Sequence, residues 1–361
     1  MDLNLMTPIN QLGYGIAGLN LCKSLAKMCD VCLFPMGPVD VAIKEDVEPL
    51  QKAAMRSQKL NFDAPTLKVW HQHDMAQFVG RGKRIGFPFF ELDTFKDMEK
   101  HHLNHLDALF VSSEWARQIC INNLTLPEDK IYVVPLGVNT DIFSPAEDNP
   151  DNKTIFFNCG KWEVRKGHDA LVEIFNFSFD QSDNVELWMM CSNLFLKPEE
   201  ALEWENFYKR SKLGNKIKIL PRAKTQAEVY NIMANVDCGV FPSRAEGWNL
   251  ELLEMMACGK NVIATNYSAH TEFCTNDNCF LVDINQTERA FDGKWFLGDG
   301  NWAKIDDQAF NTFAGHMKSI HKMKQSHSLE RNNNGIQTAE KFSWDESARK
   351  ILNHVQHIQS E

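Results

Sequence analysis

Glu246 and Glu254 stand eight residues apart in the stretch PSRAEGWNLELLEMMACGKNVIAT. The pattern predicts that Glu246 ends a loop after the strand CGVFPS, that Gly247, Trp248, Asn249 and Leu250 follow, and that a helix begins near Asn249. The first-turn N–H groups of a helix lack intrahelical partners and carry the positive end of its dipole, so such a point is an anion site. Glu254 then falls one to two turns inside the helix. One carboxylate meets a ligand before the anion site and one after it, an order that suits a polar sugar, an anionic pyrophosphate and a ribose. Two glutamates at this spacing arise by chance in many chains; the whole string carries the signal.

Upstream, NCGKWEVRKGHDALVEIF sets Lys161, Arg165 and Lys166 between a predicted strand and a predicted helix, where a solvated basic helix start would look the same. Pro221 and Arg222 follow the strand KIKIL. In the first half, Gly13-Tyr14-Gly15 falls between a strand and a helix, where glycine permits close approach or a tight turn. His71 and His73 end the run LKVWHQH, and strand alternation puts both on one face. Two His plus Asp74 could ligate zinc, but no third spaced ligand is evident. Glu91 ends the run PFFE as an acceptor-side carboxylate or a plain strand-end charge, and Arg81, Lys83 and Arg84 form a basic turn. Cys29 and Cys32 are a lone C-x-x-C, and His101, His102 and His105 share one helix, a solvated face by default.

These residues need elements to hold them, and strand-like and helix-like runs alternate along the chain. Repeating βα units with apolar strands predict a mostly parallel sheet covered by helices. The polar, two-proline segment 144–152 reads as a linker, after which the pattern restarts. The reading is two Rossmann-like α/β domains, 1–145 and 153–340, facing a cleft, with ligands outside the carboxyl ends of the strands. Residues 341–361 form a last helix, with Ser343 as N-cap and Glu346 at capping-box spacing.

At 361 residues and 43% hydrophobic, with 24 Phe and 9 Trp, the chain can bury two cores, which excludes general disorder. No run approaches the length of a membrane-spanning helix, and MDLNLMTPINQLGYG lacks the features of a signal peptide. Ten scattered cysteines suit a reducing compartment, so a cytoplasmic protein is expected. The net charge of −10 divides evenly, with 14 Lys and Arg against 19 Asp and Glu in residues 1–150 and 24 against 29 thereafter. Neither half advertises a broad nucleic-acid or anionic-membrane surface.

The 242–259 string resembles the signature of glycosyltransferase family 4, the retaining family with the GT-B fold: PS-x-x-EG-[FW]-x-L-x-x-LE-x-M-A-x-G. Asn249 stands where the family usually has Gly. Lys166-Gly167 matches the family's Lys-Gly, and Gly160-Lys161 replaces its Gly-Arg. VPLGVN with Phe143 and Pro145, the helix start Ser113-Glu114-Trp115-Ala116 with Arg117, and Phe342-Ser343-Trp344-Asp345 are similar to further family segments. The likeness is thin over 30–65 and 285–305.

The resemblance implies a retaining transfer of a sugar from a nucleotide-sugar to an acceptor hydroxyl, with no metal or other cofactor. Lys161, Arg165, Lys166 and the helix start at Gly247–Leu250 would meet the donor phosphates. Glu246 would hold the sugar, Glu254 the ribose, Arg222 the base loop, and Gly13 and Gly15 the phosphates from the first domain. His73 would contact the sugar across the cleft, and Glu91, where the family often has His, would serve the acceptor with Arg81 and Lys83. The final helix would cross back onto the first domain. The acceptor is not legible. The opening TPINQLGYGIAGLN also looks like glycosyltransferase-like proteins of tailed phages, which makes a modified DNA base one acceptor, met by 81–84 with Lys96 and Lys100. A non-catalytic nucleotide-sugar-binding protein on the same scaffold is the alternative of another class.

Overall fold

A computed structural model describes residues 1–147 and 149–360. Asp148, within the expected linker, and Glu361, at the end of the expected last helix, lie outside the described residues. The chain divides into two units, Met1–Val138 together with the chain from Lys341 onward, and Asn139–Glu340.

The first unit is a six-stranded parallel sheet. Its strands are β1 (Asp2–Thr7), β2 (Asp30–Pro35), β3 (Thr66–Lys68), β4 (Arg84–Gly86), β5 (Ala108–Val111) and β6 (Ile131–Val133), in the order β2-β1-β3-β4-β5-β6. The order reverses between β1 and β3. Its helices are α1 (Gly13–Ala26), α2 (Val47–Met55), α3 (Asp97–Asn104), α4 (Glu114–Asn123) and α11 (Trp344–Ser360). Ser113 caps α4 by accepting from the Ala116 N–H at 3.2 Å. Ser343 caps α11 by accepting from the Glu346 N–H at 3.1 Å. The VPLG run makes room for α11: a Cβ on Gly137 would come within 2.2 Å of the Trp344 nitrogen, and Val138 N–H donates to Phe342 O at 2.8 Å.

Two predicted strands are shorter than the sequence suggested. LKVWHQH is strand only to Lys68, and residues 72–74 form a 3-10 turn. Strand alternation therefore does not govern His71 and His73. RIGFPFFE is strand only to Gly86, and Glu91 lies five residues beyond it.

The second unit has strands β7 (Thr154–Gly160), β8 (Val185–Cys191), β9 (Ile217–Ile219), β10 (Cys238–Phe241), β11 (Asn261–Asn266) and β12 (Phe280–Asp283), all parallel, in the order β12-β11-β10-β7-β8-β9. The order reverses between β7 and β10. Phe156 and Phe157 on successive positions of β7 are both fully buried, as a strand covered by helices on both faces requires. The helices are α5 (His168–Ser178), α6 (Pro198–Lys209), α7 (Gln226–Ala234), α8 (Leu250–Ala257), α9 (Asp307–Gln325) and α10 (Asn333–Lys341). Where the sequence gave little signal, an antiparallel hairpin forms from β13 (Thr287–Phe291) and β14 (Leu297–Ala303). Among the described residues no helix is long and apolar enough to cross a membrane.

Candidate active site

The loops after β7 and β10 flank the point where the second sheet's order reverses, the place where open parallel sheets bind ligands. Gly167 starts α5 with φ +72°, and a Cβ there would lie 1.9 Å from Pro242 O. Only glycine lets the two loops approach this closely.

Their side chains meet at Glu246, which is 4% exposed. One carboxylate oxygen accepts from Lys166 Nζ at 3.0 Å and Ser243 Oγ at 2.8 Å; the other accepts from Arg165 Nη1 at 2.8 Å. Burial alone would raise this carboxyl, but Lys166 and Arg165 beside it hold it well below the ordinary carboxylate range. Burial likewise works against the Lys166 ammonium, and Glu246 with Glu251 outweighs it, so the group stays charged. Lys166 Nζ has three N–H bonds and gives one to Glu246, leaving donors for an anion.

Arg165 is differently placed. Its Nε and Nη2 donate to Glu163 at 3.1 and 2.8 Å, and its Nη1 donates to Ala245 O at 2.7 Å as well as to Glu246. These bonds engage Nε and both terminal nitrogens, and the visible task of Arg165 is to orient Glu246. Lys161 has a 41% exposed side chain, 4.0 Å from Glu163 and over the Phe195 ring at 5.5 Å.

Asn249, in the position the family usually gives to Gly, has φ +86°, a conformation asparagine tolerates better than most residues. Its side chain accepts from the Leu252 N–H at 3.2 Å, capping α8, and its amide nitrogen lies 2.9 Å from His270 Nε2. Burial lowers the His270 pKa, so the ring is neutral and accepts from that amide. Leu250 is the first residue of α8, and the buried Trp248 packs on Phe273 at 4.9 Å. Gly247 continues the same turn.

Glu254, on α8, is 5% exposed. Burial first, and Glu251 second, raise its pKa well above the ordinary range. Arg222 is half-buried in the loop after β9, the edge strand.

In the first unit, Gly13 opens α1 beside empty space, whereas a Cβ on Gly15 would strike Asn10 at 2.3 Å, so Gly15 serves packing. His73 is exposed, and its ring lies 5.3 Å from that of His71. Glu91 is half-buried. Arg81 is exposed and paired with Asp63 at 2.6 Å, while Lys83 is half-buried. No group of three metal-ligating side chains occurs among the described residues.

Four further residues, none of them singled out by the motifs, build the site. Ser243 and Glu163 bind Glu246 and Arg165; Ser268, at φ +52°, accepts from the Glu246 N–H at 2.9 Å. Arg244 bonds Asp169 at 2.7 and 2.8 Å, Val164 O, and Glu288 on the hairpin at 3.4 Å. Ser243 and Arg244 sit inside the motif and were within reach; Ser268 had no local signal.

Residues 152–293 match the family Glycosyl transferases group 1. Two curated relatives are similar over longer stretches. One is "Putative glycosyltransferase 45" of Sulfolobus islandicus filamentous virus, 25% identical over 57% of this chain and 55% of its own. The other is "Probable sucrose-phosphate synthase" of Thermosipho melanesiensis, 26% identical over 63% of this chain and 48% of its own. The chain thus spans about half the length of these relatives. Among solved structures, a glycosyltransferase from Rickettsia africae superposes with a TM-score of 0.70 over 99% of this chain and 98% of its own, at 16% identity. Anabaena HepE in complex with UDP-glucose gives 0.70 over 99% and 100%, at 15% identity. These likenesses confirm the expected two-domain α/β fold of the GT-B kind.

Proposed function

We propose that this chain is a glycosyltransferase that moves a sugar from a nucleoside-diphosphate donor to an acceptor hydroxyl with retention at the anomeric carbon. The observation that carries the reading is the Glu246 cluster at the sheet's reversal point: a buried carboxylate oriented by two cations and a serine, followed by α8 with a second buried carboxyl, Glu254. The match over 152–293 and the nucleotide-sugar named with HepE support it.

In this reading Lys166, Lys161 and the start of α8 bind the donor pyrophosphate. As the glycosidic C–O bond lengthens, negative charge grows on the leaving diphosphate, and positioned cations stabilise it. Glu246 accepts hydrogen bonds from the sugar hydroxyls, and Glu254 bonds a ribose hydroxyl. Arg165 positions Glu246. The phosphate charge is met by protein cations, so transfer proceeds without a metal ion.

The test is calorimetric titration with UDP and GDP. Wild type binds one of them, and Lys166→Ala weakens binding by about 1.5–3 kcal/mol, the worth of a charge-assisted hydrogen bond. Equal affinity in the two proteins would refute the donor site. The anomeric configuration of the product, read by proton NMR, tests retention.

A further inference from the structure

Asn249 stands where the family usually has glycine, yet the backbone keeps a conformation that suits glycine, with φ +86° and ψ +77°. A side chain at such a φ is costly unless its surroundings hold it. Both ends of the Asn249 amide are held. Its oxygen accepts from the Leu252 N–H at 3.2 Å, so the end that lies 2.9 Å from His270 Nε2 is the nitrogen, a donor. Nε2 is therefore the unprotonated nitrogen of the ring. The proton sits on Nδ1, which donates to Thr265 O at 3.0 Å. Thr265 lies on β11, and its hydroxyl donates to Ser243 O at 2.6 Å, just beyond the end of β10. The network thus fixes one tautomer and one orientation of His270.

His270 is fully buried and belongs to the 3-10 turn Ser268–Glu272. Three consecutive residues of that turn grip the segment 246–249. Ser268 Oγ accepts from the Glu246 N–H at 2.9 Å, Ala269 N–H donates to Glu246 O at 3.3 Å, and His270 Nε2 accepts from Asn249. The first two hold the end that carries the carboxylate, and His270 holds the end where α8 begins. Without that acceptor the buried Asn249 N–H would be orphaned, which disfavours the conformation containing it by about five- to 150-fold. We infer that His270 is a positioning residue of the donor site: by holding the Asn249 amide it replaces the conformational freedom of the missing glycine and keeps the first N–H groups of α8 turned to the diphosphate. That the ligand is a diphosphate rests on the proposed donor site; the hold of His270 on Asn249 does not.

The test titrates UDP and GDP into the full chain as wild type, His270→Phe, His270→Gln, Asn249→Gly and the double variant Asn249→Gly/His270→Phe. Phenylalanine keeps a ring and removes the acceptor; glutamine sets an amide oxygen where Nε2 stands. His270→Phe should weaken the nucleotide that wild type binds by about fivefold or more. His270→Gln should bind it more tightly than His270→Phe. The double variant should match Asn249→Gly within about twofold, because glycine takes a positive φ without a holder. The same cycle is read without ligand by urea denaturation, where His270→Phe should cost less stability in the Asn249→Gly chain than in wild type. The proposal falls if His270→Phe binds as wild type does, if His270→Gln is no better, if the loss of affinity persists undiminished with glycine at 249, or if the two stability losses are equal. Should His270→Phe not fold, recovery of folding in the double variant supports the proposal and continued misfolding overturns it. If wild type binds neither nucleotide, the donor site falls and the urea cycle still decides whether His270 holds Asn249, so the two failures are distinguishable.

Discussion

Glu246→Gln removes the charge on which the site is organised, and the structure sets the size of the effect. Surface ion pairs contribute only about 0–1 kcal/mol. Here the side chains of Glu246, Arg165 and Lys166 are 6%, 7% and 10% exposed, so water cannot replace the lost partner. Removing one member of a buried pair costs about 3–5 kcal/mol. At about 2–4 °C per kcal/mol for a domain of roughly 200 residues, Tm falls by about 6–20 °C. The sign with pH follows from the depressed Glu246 pKa. A carboxyl held below its unfolded value contributes stability above about pH 4.3, and that contribution fades as pH falls towards the folded value. The deficit of the variant is therefore full at pH 7 and shrinks below about pH 4. A bound diphosphate brings negative charge to Lys166, which has lost its hydrogen-bonded carboxylate while Arg165 keeps Glu163, so UDP restores more Tm to the variant than it adds to wild type. Denaturation of both proteins at pH 7 and pH 3, with and without UDP, is the measurement. A loss below about 1 kcal/mol at pH 7, the value of a surface pair, would show that the buried cluster is not formed.

Glu254→Gln should stabilise the ligand-free protein at neutral pH while weakening nucleotide binding. The raised pKa means that stability falls as pH climbs from the unfolded value through the folded one, and Gln removes that slope; a variant that loses stability as pH rises would contradict it. Asn249→Ala should cost about 1–3 kcal/mol, since it loses the cap and keeps a positive φ, whereas Asn249→Gly should cost less than about 1 kcal/mol; equal losses in chemical denaturation would mean that backbone conformation is not the issue. Transfer should continue at full rate in EDTA, and an activity lost there and restored by one divalent ion would move phosphate binding from Lys166 to a metal.

The sequence alone determined the features that depend on near neighbours. Alternating apolar runs give the two parallel sheets, because a strand buried on both faces has to be apolar along its length. The α8 start at Asn249 and the α11 cap at Ser343 were legible because a cap bonds within three or four residues. The Glu246 and Glu254 pair was legible through its string. Tertiary structure decided what distant segments do to one another. Arg165 and Glu246 are 81 residues apart, and only the juxtaposed β7 and β10 loops show that the arginine holds the glutamate while Lys166 keeps donors to spare. Ser268 reaches the Glu246 N–H from 22 residues away, through a backbone conformation no local pattern announces. His71 and His73 looked like a strand pair, but β3 ends at Lys68, and the chain turns so that their rings stack instead. Strand length is fixed by what the neighbouring strand offers for pairing, and β3 pairs with β4 only over Thr66–Lys68.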